Sequence, residues 1–230
     1  MRNLEHTLRT GLEELALPAS ETQVAGLLDY LALLQKWNKV YNLTAVRDQD
    51  QMLTHHLLDS LAVIAPLRRQ LLARQTRANG LADVTASVQR EQKLRLLDVG
   101  SGAGLPGIVI AICCPDITVH CVDAVAKKVA FINQVAANLK LPNLLGLHVR
   151  VENLSEKYSV ISSRALATLA DFVSWSAAAL AEQGVWLAMK GKYPVDEIAT
   201  LPGSVAVFHV ERLLVPGLEA ERCIVWMRKT

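Results

Sequence analysis

Long apolar runs are missing from the sequence, although hydrophobic residues make up 51% of its 230 positions. The longest run, residues 107–114, is far shorter than the roughly 20 residues that a membrane-spanning helix needs. The hydrophobic share is large enough for one sizeable core, which excludes a disordered chain. We therefore expect a folded protein without a membrane segment.

Cysteine is scarce, and none of it has the CxxC spacing of a redox or zinc motif. The start of the chain lacks the succession of cationic, apolar and small residues that is typical of a signal peptide. Together these features favour a reducing, cytoplasmic location with buried structural thiols. The four cysteines all lie in apolar stretches: Cys113, Cys114, Cys121 and Cys223.

Clusters of metal ligands are also lacking. His55 and His56 are adjacent, so on a helix their side chains point about 100° apart and cannot hold one ion. His56 and Asp59 share a helix face, and we interpret them as a hydrogen-bond or packing contact rather than as catalytic groups. The prediction is that the protein has no metal site.

A strong excess of charge of one sign is absent, because the formal net charge is only +2. Any contact with a polyanion must therefore come from a local basic surface.

Hydrophobic periodicity divides the chain into three parts. Residues 1–72 repeat apolar side chains at helical spacing, with Ser20 placed to begin the second helix and Asp48 to cap the third. Residues 73–93 are small, polar and rich in arginine, which predicts a solvated linker or insertion. Residues 94–230 alternate between strand and helix patterns, which predicts an α/β, doubly wound, Rossmann-like sheet. We expect it to be mostly parallel and closed by an antiparallel C-terminal hairpin.

The predicted elements of this third part follow from periods of two and 3.6 residues. The strands are 94–99, 117–122, 144–149, 158–163, 185–189, 205–210 and 223–227, and the helices are 106–114, 125–139 and 169–182.

The stretch "LLDVGSGAGLPG", residues 96–107, places four glycines within eight positions. Glycine permits a positive φ and removes the Cβ that would keep a ligand away from the backbone. In a doubly wound sheet this first strand-to-helix turn lies at the ligand edge. The spacing fits two cofactors, since residues 102–107 match a dinucleotide loop and residues 98–104 match a loop that receives S-adenosylmethionine (SAM).

Asp98 favours SAM over a dinucleotide. A pyrophosphate bound at this turn would meet an unwelcome carboxylate, whereas the cationic SAM carries an α-ammonium group that Asp98 attracts directly or through water. Asp123, 25 residues further along, ends the second strand and is placed to bind the ribose hydroxyls of either cofactor.

The motifs that the sequence lacks exclude some classes of methyl acceptor. The Asn- or Asp-Pro-Pro-aromatic loop common in methylation of exocyclic amines is replaced by "SSRALATL", and no cysteine suits the thiolate addition that carbon-5 methylation needs. Guanine N7 needs no general base, because its lone pair is free at neutral pH. Basic residues at predicted strand ends fit such an acceptor: Arg150, Arg164, Lys190 and Lys192.

Six blocks within residues 30–192 resemble the ribosomal small-subunit methyltransferase G family, also called glucose-inhibited division protein B. In order they are "WNKVYNLTAVRD", "HHLLDSLAV", "LLDVGSGAGLPGI", "RVE", "SRALATL" and "AMKG". The resemblance implies SAM-dependent N7 methylation of one guanine of 16S rRNA, in the decoding-region loop, by direct in-line transfer. The sequence departs from the family in residues 73–93, a stretch that is longer than the short connection usual at this place in the family.

The resemblance also implies site residues. Arg164 and Lys190 would be catalytic. By the resemblance, the cofactor would contact Gly100, Leu105, Val151, Glu152 and Arg164, and the loop pattern adds Asp98, Gly102 and Asp123. By the resemblance, RNA would contact Lys127, Lys128, Arg150 and Lys190, and the strand-end position adds Lys192. The expected partner is 16S rRNA or the small ribosomal subunit, and the expected state is a monomer. Two alternatives remain open, a small-molecule SAM-dependent methyltransferase and a non-catalytic rRNA-binding assembly protein.

Overall fold

The N-terminal part of the chain is helical, as the periodicity predicts. The computed structural model describes residues 4–80 and 94–230 and begins with α1 (Leu4–Glu14) and α2 (Glu21–Tyr41). At the start of α2, the Ser20 hydroxyl accepts the Gln23 N–H, and the Gln23 side chain accepts the Ser20 N–H. This capping box satisfies backbone donors that a helix start leaves unpaired, which confirms the predicted start.

A second helical run contains a π-helical turn. It begins as α3 (Gln49–Met52), continues through the π-turn Leu53–Leu58 and ends as α4 (Asp59–Leu61). Asp48 caps this run by accepting the Gln51 N–H, as predicted. Such π-turns occur often at functional sites because they rotate the side chains that follow them.

The last helix of this layer extends beyond its predicted end. Helix α5 (Ile64–Gly80) continues through residues 73–80, so the linker predicted over 73–93 is wrong in its first eight residues, and residues 81–93 lie outside the described part of the chain. The helix persists because Arg74 docks on the sheet. Its guanidinium donates to Ser159 O at 2.8 Å and also to Gln183 O.

Residues 94–230 form a seven-stranded sheet. Its strands are β1 (Arg95–Val99), β2 (Thr118–Asp123), β3 (Leu144–His148), β4 (Tyr158–Arg164), β5 (Leu180–Lys190), β6 (Val205–Leu213) and β7 (Arg222–Lys229). They lie in the order β3-β2-β1-β4-β5-β7-β6. The first five strands are parallel, and β7 pairs antiparallel with both β5 and β6, which confirms the doubly wound fold and its antiparallel hairpin.

Helices cover both faces of the sheet. One face packs against α6 (Gly107–Cys113), α7 (Ala126–Asn138) and the N-terminal helices, and the other against α8 (Leu169–Ser176). A short helix, α9 (Val195–Ala199), follows β5. Residues of the N-terminal helices up to Leu71 share one hydrophobic core with α6 and the sheet, and helix α5 continues past residue 72 without a break.

The helix predicted over 169–182 is wrong in its second half. Helix α8 ends at Ser176, and β5 already begins at Leu180. The sequence after Ser176 suits a helix, but the chain there pairs with β4 instead. The Tyr158 N–H donates to Ala179 O at 2.9 Å. Ser176 also receives the buried indole N–H of Trp186, which fixes the end of the helix against the sheet.

Candidate functional site

The glycine-rich loop lies over the carboxyl edge of the sheet, where strand order reverses between β1 and β4. Gly100 and Gly102 both have positive φ, at 65° and 58°, a conformation that side chains disfavour. The N-terminal helices hold the loop in place, since the Tyr30 hydroxyl donates to Ala103 O at 2.9 Å. The helical layer therefore shapes the ligand edge directly.

Asp98 lies beneath this loop and is fully buried. One carboxylate oxygen accepts the Gly107 N–H at 3.0 Å, and the other accepts the Ser162 hydroxyl at 2.8 Å. Burial raises the pKa of Asp98 to about 7, although both hydrogen bonds act in the opposite direction. The carboxylate lines neither pocket at this edge, and its two hydrogen bonds hold the glycine loop and β4 in place.

Asp123, at the end of β2, faces the ligand edge. Its Oδ2 accepts the Gly102 N–H at 3.0 Å, and its Oδ1 accepts the Val125 N–H at 2.9 Å. The Lys128 ammonium lies 3.6 Å from the same carboxylate. Each oxygen keeps a lone pair for a further donor, so Asp123 can still receive hydroxyl groups.

Two pockets open at this edge. The strand-side pocket, about 420 Å³, lies beyond the ends of β1, β2 and β3. The helix-side pocket, about 540 Å³, lies between the ends of β4, β5 and β7 and the N-terminal helices. Gly100 and Ala165 line both pockets, so the two spaces adjoin. Ala165 has a φ of 53°, a strained conformation of the kind that clusters at functional sites.

The strand-side pocket contains four of the predicted cofactor residues: Gly100, Asp123, Val151 and Glu152. Lys128 and Arg150, which are predicted to contact RNA, also line it. Trp175, about 38% exposed, contributes an aromatic ring that the sequence analysis missed. No spacing rule connects α8 to this pocket, so the sequence alone held no signal for that ring.

The helix-side pocket is built around Asp59, which is buried at the first position of α4. Its Oδ2 accepts from Arg164 Nη1 at 2.9 Å, and its Oδ1 accepts from Arg222 Nε at 2.9 Å. Arg164 Nη1 also donates to His55 O at 3.1 Å. The chain thus brings the end of β4, the start of β7 and the π-turn together on one carboxylate.

This arrangement corrects the interpretation of His56 and Asp59 as a helix-face pair. The His56 Nε2 instead lies 2.7 Å from the Thr44 hydroxyl, and Asp59 binds residues more than a hundred positions away. Burial lowers the pKa of His56 to about 4, so the ring is neutral at neutral pH. The block "HHLLDSLAV" carried the only available signal for Asp59, whereas nothing in the sequence indicated Arg222.

Lys190 lies at the end of β5 and lines the helix-side pocket, but its ammonium is already occupied. It donates to both carboxylate oxygens of Glu197, at 2.7 and 3.0 Å, and to Ala167 O at 2.9 Å. Leu105, Gly100 and Gly102 line the same pocket. The predicted RNA-binding residues Lys127 and Lys192 are exposed and line neither pocket.

The four thiols have no lowered pKa. Burial raises the pKa of Cys113 to about 12 and that of Cys114 to about 11, and it also raises the pKa of Cys121 and of Cys223. Only Cys223 lines a pocket at this edge, where its Sγ lies 3.6 Å from Lys192 O. A raised pKa leaves little thiolate at neutral pH, so none of these thiols is suited to nucleophilic attack.

In residues 4–80 and 94–230, no helix is both long and apolar enough to cross a membrane. The same residues contain no group of three or more histidine, cysteine, aspartate or glutamate side chains placed to hold a metal ion.

The sheet order, the antiparallel hairpin and the glycine loop over the carboxyl edge define a Rossmann-like, SAM-dependent methyltransferase. A family model described as rRNA small subunit methyltransferase G matches residues 23–84 and 78–225. The chain belongs to this family.

Full-length relatives agree with this assignment. Ribosomal RNA small subunit methyltransferase G of Albidiferax ferrireducens is 66% identical over 230 residues, covering 100% of this chain and 99% of the relative. The protein of the same name from Methylibium petroleiphilum is 56% identical over 227 residues, covering 98% and 95%. Among solved structures, TrmN from Thermus thermophilus is similar with a TM-score of 0.49 and 18% identity, covering 60% of this chain and 44% of that one.

Proposed function

We propose that this protein transfers the methyl group of SAM to N7 of one guanine of 16S rRNA, in the decoding-region loop. The proposal rests on the family, whose full-length relatives carry the name ribosomal RNA small subunit methyltransferase G. Its partner would be 16S rRNA or the small ribosomal subunit, which places the reaction in the cytoplasm. We propose that the protein acts as a monomer.

The observation that carries the proposal is the pair of adjoining pockets at the carboxyl edge of the sheet. A transfer reaction needs two ligands whose reacting atoms meet, and the pockets meet at Gly100 and Ala165. The strand-side pocket fits the nucleoside part of SAM, with Asp123 receiving the ribose hydroxyls and Val151 and Glu152 flanking the adenine. The helix-side pocket remains for the acceptor base.

The glycine loop fits the rest of the cofactor. Gly100, Gly102 and Leu105 line the helix-side pocket next to its junction with the strand-side pocket, where the methionine part of SAM would lie. A Cβ at Gly100 would stand 2.3 Å from Leu166 Cδ1, so the backbone approaches its surroundings closely at this point. We propose that the buried Asp98 supports this loop through the Gly107 N–H and acts on the cofactor's positive charge only through its field.

When bound, SAM supplies an electrophilic methyl group. At the centre of the helix-side pocket Asp59 is engaged by two guanidinium groups, and the lowered pKa of His56 makes its ring a weak base. An acceptor with a free lone pair, such as guanine N7, needs only to be oriented and shielded from water. We propose that Arg164 orients the acceptor and that Lys190, held by Glu197, supports the pocket wall around it.

Basic side chains around both pockets would hold the rRNA backbone. We propose this role for Lys127, Lys128, Arg150, Lys190 and Lys192. Lys190 is expected to contribute least, because its three N–H donors already have protein acceptors.

The proposal can be tested on small subunits and on 16S rRNA from a strain that lacks the gene. The protein is incubated with each and with methyl-labelled SAM, and N7-methylguanine is mapped by chemical cleavage of the RNA. We expect one labelled guanine in the decoding-region loop, which is unmodified in the deletion strain. Label elsewhere, or an unchanged modification pattern in the deletion strain, would contradict the proposal.

The Arg164→Ala variant tests the site within the same assay. We expect loss of turnover with the fold and most of the affinity for SAM retained, because Arg164 does not line the strand-side pocket that is proposed for the nucleoside part of SAM. Arg228→Ala is the matched control, since Arg228 is an exposed arginine on the remote end of β7. RNA binding without any consumption of SAM would instead favour the assembly-protein alternative.

A further inference from the structure

Asp59 accepts one hydrogen bond from each of two arginines, and the two arginines use different nitrogen atoms for it. Arg164 uses one N–H group of Nη1, and Arg222 uses its Nε–H, while Arg222 Nη1 donates to Glu221 O at 2.8 Å. Neither guanidinium forms the parallel, two-bond pair with the carboxylate that would use up one edge of the fork. Each therefore keeps donors for another acceptor.

The N–H donors that remain free on the two arginines can be named. Within residues 4–80 and 94–230, Arg164 Nε and Nη2 and Arg222 Nη2 donate to no protein acceptor. Both side chains line the helix-side pocket and are only 20% and 24% exposed. Unsatisfied N–H donors of partly buried cations are costly unless a ligand accepts from them.

The charge around these donors is positive. Two guanidinium groups share one carboxylate, and Lys190 in the same pocket is already neutralised by Glu197. Without Asp59 the two arginines would repel each other and lose their fixed positions. The pocket thus presents a preformed pair of guanidinium groups with an excess positive charge.

We propose that Asp59 is a positioning residue that holds Arg164 and Arg222 as a phosphate-binding site for the acceptor nucleotide. This inference rests on the proposed function and adds Arg222 as a second acceptor-binding residue. In a nucleotide the phosphate is the only group with a full negative charge, and guanidinium donors match its oxygens. Binding the phosphate here fixes the nucleotide from its backbone while the base occupies the apolar part of the pocket, next to Leu43 and Met189.

The experiment compares Arg222→Ala, Arg222→Lys and Asp59→Asn with the wild-type protein, using unmodified 16S rRNA as the probe. The measurements are kcat and KM for RNA, the salt dependence of RNA binding, and the affinity for S-adenosylhomocysteine by calorimetry. Arg228→Ala is the control, because it removes an exposed arginine from the other end of the same strand. All variants are compared for thermal unfolding.

For Arg222→Ala we expect KM for RNA to rise about tenfold, the effect of losing one charged hydrogen-bond donor. The slope of log affinity against log salt should fall in magnitude by about 0.7, as for one phosphate contact to single-stranded RNA. Arg222→Lys should keep the salt slope and recover part of KM. Asp59→Asn should raise KM at least as much as Arg222→Ala, with unchanged affinity for the cofactor product.

An Arg222→Ala variant with wild-type KM and salt slope would overturn the inference, as would equal losses in Arg228→Ala. A merely structural role would lower thermal stability and cofactor affinity without changing the salt slope, which also contradicts the inference. If the Asp59→Asn variant does not fold, the two Arg222 variants still test whether Arg222 binds a phosphate. Failure of the proposed function itself would be distinct, because then the wild-type protein would not methylate the RNA.

Discussion

The two pockets of this protein are built in opposite ways. The strand-side pocket takes most of its residues from short stretches that follow consecutive strands, such as 122–124 and 149–152, and it adds Ala165, Leu166 and Trp175 from beyond β4. The helix-side pocket depends on Asp59, Arg164 and Arg222, which come from the helical layer, the middle of the sheet and the last strand. The first pocket is therefore built mainly from local stretches of the chain, whereas the central contacts of the second join segments more than a hundred residues apart.

The two pockets also differ in the charge of the side chains that line them. The strand-side pocket is lined by the carboxylates of Asp123 and Glu152, which suit the hydroxyl and amine groups of the cofactor proposed for it. The helix-side pocket presents guanidinium groups that one buried carboxylate keeps apart and in place. A change in one pocket should then leave the function of the other intact, which the following variants can test.

The largest effect is expected for Asp59→Ala, which breaks the centre of the helix-side pocket. Removing the shared carboxylate leaves two uncompensated guanidinium groups in a partly buried site, so the free energy of unfolding should fall by roughly 3–5 kcal/mol. Denaturant titration measures this loss. The control is Asp50→Ala, an exposed aspartate of the same helical run, which should change stability by less than about 0.5 kcal/mol. Equal effects in both variants would show that Asp59 is not a structural centre.

A smaller effect is expected for Asp98→Asn, beneath the strand-side edge of the loop. The folded protein raises the pKa of Asp98 to about 7 through burial, above the unfolded value, so its contribution favours folding at low pH and is lost as the pH rises through 7. The wild-type protein should therefore lose roughly 3 kcal/mol relative to Asp98→Asn between pH 5 and pH 8. Unfolding midpoints at the two pH values measure this, and a difference that does not change with pH would contradict the raised pKa.

The third effect concerns cofactor binding through Asp123. Asp123→Ala removes the acceptor of the Gly102 N–H and the proposed ribose ligand, so the affinity for SAM should fall about 10- to 100-fold. Calorimetry measures the affinity, and the KM for RNA should stay within about twofold of the wild-type value. Asp116→Ala is the control, because Asp116 precedes β2 at the other end of the sheet and pairs with Arg68. A large rise in the KM for RNA would show that the two pockets are not independent.

The smallest effect is expected at the exposed Lys192, just beyond β5. Lys192→Ala should weaken RNA binding by less than about threefold and reduce the salt slope by about 0.7, since one solvated phosphate contact contributes little at physiological salt. Binding measured at several salt concentrations tests this. Lys229→Ala, at the remote end of β7, should leave the slope unchanged. Identical slopes for Lys192→Ala and the wild-type protein would remove Lys192 from the proposed RNA surface.

Much of the sheet was predictable because its signals are local. The strands around Asp98 and Asp123 follow from short apolar runs, and the cap residues Ser20 and Asp48 follow from helix-start chemistry. The end of α8 was not predictable, because the residues after Ser176 suit a helix but pair with β4. The extension of α5 to residue 80 was missed for the same kind of reason, since Arg74 binds carbonyls of distant strands.

The sequence by itself determined the doubly wound fold, the glycine loop and the carboxylates at its strand ends, because periodicity and backbone requirements act over a few neighbouring residues. Only the tertiary structure decided that Asp98 is buried beneath the loop and that Asp59 binds Arg164 and Arg222. Ion pairs between segments more than a hundred residues apart leave no spacing in the sequence, since they depend on how the helical layer packs on the sheet. The acceptor side of the site is for that reason visible only in the folded protein.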